Sequence, residues 1–201
     1  LPTLQQLSWG TNSIDYDCAG WLDLFVTSGH INGNKGGTVP YAMRPQLFHN
    51  GSGRGELRFS EVSAQAGRYF SQQHVGRGSA VADYDADGDP DIAVTHHHKP
   101  AALLRNDTAP KGHALGFRLV GDHSNRSAIG TRVIVHVSDP SGAARRIMRE
   151  VIGGGSYLSS DSKEILVGVG QTDRVTSVEV NWPSGTSARY EDLGVGAYYT
   201  I

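Results

Sequence analysis

The sequence predicts an all-β chain: two propeller-blade-like antiparallel repeats over residues 1–112, then a β-sandwich or barrel over residues 113–201. Three observations carry this. An Asp-rich loop between short β-branched runs occurs twice, 68 residues apart. After about residue 113 that loop stops recurring, and strands of alternating polarity follow, split by Gly and Ser. No segment shows a helical period longer than about two turns.

The repeat is read from matched positions. In "SIDYDCAGWLDLFVTS", Asp15, Tyr16, Asp17, Gly20 and Asp23 align with Asp83, Tyr84, Asp85, Gly88 and Asp91 of "DYDADGDPDIAVT". Trp9-Gly10 aligns with Arg77-Gly78 at the same offset of 68. Further on, "QLFHN" (46–50) matches "ALLRN" (102–106) at an offset of 56, so the first copy carries a 12-residue insertion within "SGHINGNKGGTVPYAMR". Each unit then reads strand, Asp loop, strand, loop, strand, and "LRFSEVS" gives the first copy a fourth strand. A four-stranded antiparallel unit has the size of a propeller blade, and a period in this range marks units that share a core with their neighbours.

In the second half, "RVIVHV" and "SVEVNW" place apolar residues at every second position, the signature of strands with one buried face. "WPSG" reads as a hairpin turn with Trp182 packed beneath it.

Composition narrows the function. The net charge is −2 and the pI about 6.5, with no basic excess to favour nucleic acid. No apolar run approaches the roughly 18 residues of a membrane-spanning helix. The single cysteine, Cys18, excludes an intrachain disulfide and a CxxC site, and reads as an inert, half-buried thiol.

The loop at 83–91 has five aspartates in nine residues: Asp83, Asp85, Asp87, Asp89 and Asp91. Carboxylates this close ionise together only around positive charge. Hard cations take oxygen, and Ca²⁺ takes about six to eight ligands. Alternate positions on a tight loop point inward, Gly88 permits the bend, and the seventh position, Asp89, would offer its backbone carbonyl. An EF-hand is excluded, because its twelfth position needs a bidentate Glu and here holds Val94. The alternative is an Asx-rich turn with no metal. In the first copy, position five is Ala19, leaving Asp15, Asp17 and Asp23, and binding and no binding stand level.

These residues resemble the FG-GAP/VCBS calcium repeats of integrin-like β-propellers. The second half resembles the ASPIC/UnbV domain through "LVGDHSNRSAIGTRV" (119–133), "GGGSYLSS" (153–160), "LVGVG" (166–170) and "VEVNWPSG" (178–185). The arrangement is similar to the C-terminal part of cartilage-acidic-protein-like molecules. The resemblance implies a secreted, calcium-stabilised structural or binding role without catalysis, with metal residues Asp83, Asp85, Asp87, Asp89 (through its carbonyl) and Asp91. Ala19 departs from the pattern.

His96, His97 and His98 are consecutive on a strand end, so at most two face one way, and a solvated end is favoured over a metal site. Asn50, Asn106 and Asn125 open N-x-[ST] sequons, but Asn50 and Asn106 share a repeat position, so a turn role explains them equally. Asn125 and Arg126 read as braces for the turn into "TRVIVHV". Ser156 lacks a nucleophile elbow.

The expected function is a secreted calcium-binding structural or adhesive protein acting through protein–protein contact. The alternative is a carbohydrate-binding module or accessory domain of a larger enzyme, stacking sugars on Tyr157, Tyr190, Tyr198 or Tyr199. No nucleophile or acid/base constellation suggests an enzyme. Two repeats do not close a propeller of about four to eight blades, so the open faces are expected to meet other chains, by self-association if the chain is complete. The terminal "AYYTI" is expected to help by strand addition.

Overall fold

The computed structural model describes residues 6–33, 39–51, 57–138 and 142–201. Within them almost all of the regular secondary structure is strand, in four sheets, none of them closed into a barrel.

The first sheet holds β1 (Ser8–Ile14), β2 (Asp23–Ser28), β3 (Gln46–Asn50) and β4 (Phe59–Glu61), antiparallel and in chain order. A 3₁₀ turn (Ser63–Gln65) and one helical turn, α1 (Arg68–Ser71), lead out of it. The second sheet holds β5 (Gly76–Ala82), β6 (Asp91–His96) and β7 (Lys99–Leu104), and has no fourth strand among the described residues.

The two sheets repeat one another residue by residue. Ile14 pairs with Asp23, and Ala82 with Asp91. Leu24 pairs with Phe48, and Ile92 with Leu104. A bulge falls between Ser8 and Thr11 and again between Gly76 and Ser79, at the same offset of 68. A bulge re-aims a strand locally, and its recurrence shows that strand geometry repeats along with sequence. The insertion lies where the pattern placed it, between β2 and β3. The corresponding β6–β7 connection is a tight turn through His97 and His98. Residues 34–38 of the insertion lie outside the described residues.

The repeats pack face to face. Ile14, Phe25 and Leu47 of the first meet Phe70 of α1 and Ile92 and Val94 of the second in one buried cluster. Beside it, between Tyr16, Leu47, Tyr69 and Leu104, opens a cleft of about 640 Å³.

The remaining strands are β8 (His113–Arg118), β9 (Arg132–Ser138), β10 (Ala144–Glu150), β11 (Ile165–Gly170), β12 (Ser177–Asn181), β13 (Ser187–Glu191) and β14 (Tyr198–Thr200). They form two sheets, ordered β10-β9-β12-β13 and β11-β8-β14. Alternation supplies the core between them: Leu115 and Phe117, Val133 and Val135, Val167 and Val169, Val178 and Val180 are buried, with Trp182 packed at the margin. The WPSG turn closes the β12–β13 hairpin through Gly185 N–H donating to Trp182 C=O at 3.0 Å. Gly185 sits at φ 90°, which a side chain would resist. The terminal strand is an edge of its own sheet, paired in parallel with β8. Tyr199 points inward over Phe117 and Tyr198 outward.

Candidate metal centre

Each Asp loop is a β-hairpin connection folded back on its own carboxylates. In the second repeat, Asp83 follows β5. Its Oδ2 accepts Gly88 N–H at 2.9 Å and its Oδ1 accepts Asp87 N–H at 3.2 Å. Asp91 opens β6, and its two oxygens accept Tyr84 N–H at 3.1 Å and Asn106 N–H at 2.8 Å. The first repeat makes the same closures. Asp15 accepts Gly20 N–H at 3.0 Å, and Asp23 accepts Tyr16 N–H at 3.3 Å and Asn50 N–H at 2.7 Å. The backbone agrees: Cys18 and Ala86 take φ 54° and 60°, Gly20 and Gly88 φ 83° and 90°. A left-handed alanine or cysteine is sterically costly, and strain of this kind persists where a site holds it.

One carboxylate oxygen each from Asp83, Asp85 and Asp91 lies within 4.8 Å of the others. Two ligands of one Ca²⁺, each about 2.3–2.6 Å from it, are separated by no more than about 5 Å, so the three fit a shared cation. The donor set is all oxygen, as a hard cation requires. Asp91 is buried, at 2% exposure. Burial raises its pKa, and Asp85 and Asp87 add to the rise. Among the described residues no Lys, Arg or His forms an ion pair with Asp83, Asp85 or Asp91. Among the described side chains Asp83 receives a neutral hydroxyl, that of Tyr198, beside its two backbone N–H donors.

The other two aspartates of this loop do not join the cluster with their carboxylates. Asp87 accepts Asp89 N–H at 3.0 Å. Asp89 is buried against the Cys18 thiol and paired with Lys111 Nζ. Cys18 is buried, and burial pushes its thiol pKa up, with Asp15 and Asp89 adding to the rise, so it remains protonated.

In the first repeat Asp15, Asp17 and Asp23 also bring oxygens within 4.8 Å of one another. A protein cation already stands there, with an imidazole beside it. Arg149 Nη2 of β10 lies 3.1 Å from Asp15 Oδ2, both side chains largely buried. His49 Nδ1 lies 3.2 Å from Asp23 Oδ1 and 3.6 Å from Asp17 Oδ2. The carbonyl of Ala19 accepts Arg145 Nη1 at 2.7 Å, and that guanidinium lies 4.4 Å from the Trp21 ring centre. Burial raises the pKa of Asp15 to about 6 despite Arg149, and that of Asp23 to about 6 despite the Asn50 N–H.

The remaining sequence candidates have local roles. The Asn50 amide is buried and donates to Leu22 C=O at 2.9 Å, and Asn106 donates to Tyr16 C=O at 2.8 Å. Both amides are thus engaged in bracing, as expected of a shared turn position. Ser52 of the first sequon lies outside the described residues. Asn125 braces its loop by accepting Ile129 N–H and donating to Ile129 C=O, each at 2.8 Å, while Arg126 is exposed. His96 bonds Tyr69 and His97 bonds Tyr41, and the three histidines do not converge. Ser156 accepts Thr11 N–H at 2.8 Å, joining the second half to β1. Tyr157 packs on Trp9, and Tyr190 and Tyr199 pack against the second core, so these rings form no common stacking face.

Sequence reasoning did not find Arg145, Arg149, Lys111 or Tyr198 as partners of the loops. Their signal was faint: in "ARRIMRE", Arg145, Ile147 and Arg149 fall on one strand face.

Comparison with known proteins bears on both halves. Residues 121–201 match the family model described as "ASPIC and UnbV". The chain is also similar to cartilage acidic protein 1 of Mus musculus, 31% identical over 112 residues, which are 55% of this chain and 17% of that protein. The chain therefore matches a small part of that relative's length.

Proposed function

We propose that this chain is a non-catalytic, extracellular structural or adhesive module, that its two repeats are of the FG-GAP/VCBS calcium type, and that the second binds one Ca²⁺. One observation carries the reading: three carboxylates, Asp83, Asp85 and Asp91, share a space that a single cation spans, with no protein cation paired to them among the described residues. The ASPIC/UnbV match and the likeness to cartilage acidic protein 1 support an extracellular accessory role. No helix among the described residues is long and apolar enough to cross a membrane.

Asp83, Asp85 and Asp91 would hold the ion, which supplies the positive charge these carboxylates need to stay ionised together. Backbone N–H groups of Gly88, Tyr84 and Asn106 aim Asp83 and Asp91 in advance, while Asp85, being exposed, gives the cation its way in. Thermal melts with Ca²⁺ and with EDTA test this. An extracellular-type site, with Kd about 10⁻⁴–10⁻³ M, stabilises by about 1.4–2.7 kcal/mol at 10- to 100-fold excess. Asp85→Ala should abolish the difference. Superimposed melts of the unaltered protein would refute the metal reading.

A further inference from the structure

The sheet β11-β8-β14 turns one face to its core and the other to the Asp loops. Leu115, Phe117 and Val167 are buried in the core. Strand alternation puts Ala114, Gly116, Gly168 and Tyr198 on the other face, through the pairings Ala114–Gly168 and Gly116–Tyr198. The first loop rests there against Gly168, whose Cβ position is 2.5 Å from Asp15 Oδ2. The second loop is reached by Tyr198.

Gly116 places Tyr198 for that reach. The ring lies so close over Gly116 that a Cβ there would be 2.1 Å from a ring carbon, so only glycine leaves the slot open. From the slot the hydroxyl donates to Asp83 Oδ2, across 115 residues of chain. A carboxylate has about four acceptor positions. At Asp83, Gly88 N–H, Asp87 N–H and the Tyr198 hydroxyl take three, leaving one for a cation. A phenol is neutral, so it holds the carboxylate in place and leaves its charge to the ion. At the same position of the first loop, the group from the second half is Arg149, which supplies the counter-charge of Asp15 itself.

We propose that Tyr198 is a positioning residue of the second loop's metal site, and that Ca²⁺ bound there fastens the C-terminal strand β14 in return. This rests on the reading that Asp83, Asp85 and Asp91 hold the ion. Partners that orient a metal ligand from outside contribute about 10- to 100-fold to metal affinity. Coupling is reciprocal, so the factor that Tyr198 adds to ion binding is the factor by which the ion tightens the Tyr198 contact. The effect should show in β14, which has three residues, an edge position and one neighbouring strand, β8.

The test is Ca²⁺ titration of the full chain by calorimetry. Tyr198→Phe removes the hydroxyl and keeps the ring on Gly116, and Ca²⁺ affinity should fall about tenfold. Tyr199→Phe is the control. Its hydroxyl donates to Gly194 C=O at 2.9 Å, in the same strand but away from the loop, so affinity should not change. Hydrogen exchange reads the return effect at the Ile201 amide, which donates to Arg118 C=O at 3.0 Å. Saturating Ca²⁺ should slow its exchange about tenfold in the unaltered protein and in Tyr199→Phe, and leave it unchanged in Tyr198→Phe. An equal loss of affinity in both variants, or Ile201 exchange indifferent to Ca²⁺ in the unaltered protein, would overturn the proposal. A chain that binds no Ca²⁺ overturns the metal reading along with it. Equal Ca²⁺ affinity in all three proteins overturns the positioning role alone.

Discussion

Asp15 and Asp83 occupy the same place in two copies of one loop, yet they meet different partners. Asp15 faces Arg149 at 3.1 Å, deep between the halves of the molecule, while Asp83 faces a tyrosine hydroxyl. The guanidinium supplies at the first loop the charge that a metal would supply at the second. Calcium titration by calorimetry should therefore give one ion per chain, not two. Removing the guanidinium leaves a buried charge without a partner, which costs about 3–5 kcal/mol, so Arg149→Met should lower stability strongly at pH 7. The loss should shrink towards pH 5. Asp15 already has a folded pKa near 6, raised by burial above its unfolded value, so the folded state binds the proton more tightly. Stability from this group is highest at low pH and falls as pH rises through the folded pKa. Without Arg149 that pKa moves higher still, and at pH 5 Asp15 is neutral in both proteins. Denaturant melts at the two pH values check this; an equal loss at both would refute it.

Among elements, β11 shows how tightly the halves are fitted. A Cβ at Gly168 would lie 2.5 Å from Asp15 Oδ2 and 2.6 Å from the Cys18 backbone, so Gly168→Ala must displace the first loop. Overpacking of this kind costs about 1–3 kcal/mol. Gly154, with nothing within 4 Å of its Cβ position, is the control, and Gly154→Ala should change the melt by less than about 0.5 kcal/mol. The repeat strands, their pairing and the place of the insertion were legible in the sequence, because hairpin register follows local chemistry repeated at a fixed offset. The choice between sandwich and barrel was not, since a period of two is common to both and only the pairing of β14 with β8 and of β12 with β9 separates them. Of the four carboxylates read as pointing inward in the second loop, those of Asp83, Asp85 and Asp91 come together, while Asp89 is read as offering its backbone carbonyl and not its side chain. The turn of Asp87 towards the Asp89 N–H, and of Asp89 towards Lys111, depends on neighbours that no spacing reveals. The arginines of β10 were missed for the same reason: Arg149 meets Asp15 across 134 residues of chain.

At the scale of the whole molecule, the two repeats and the following sandwich form one unit through polar contacts more than through a shared apolar core. Asp161 is the centre of one set. It accepts Val81 N–H at 2.8 Å and the Asn12 amide at 2.9 Å, so a single carboxylate from the second half bridges both repeats. Asn12 in turn bonds Ser79. A second set lies along the first loop, where Gly112 N–H donates to Asp17 C=O at 2.8 Å and Gly170 N–H to Cys18 C=O at 2.9 Å, next to the Arg149 pair. Buried polar contacts are costly to leave half-made, so opening the junction exposes unpaired groups on both sides at once. The halves are therefore expected to unfold together, as a single calorimetric transition with equal van't Hoff and calorimetric enthalpies. Asp161→Ala strands the Val81 N–H and the Asn12 amide in a half-buried place, and combined with Arg149→Met it removes one anchor from each set. The double variant should split the transition, with the sandwich, which keeps its own apolar core around Phe117 and Val135, melting last. Calcium should then shift only the earlier transition, that of the repeats. Two separate transitions in the unaltered protein, or a calcium shift confined to the later transition of the double variant, would refute this coupling.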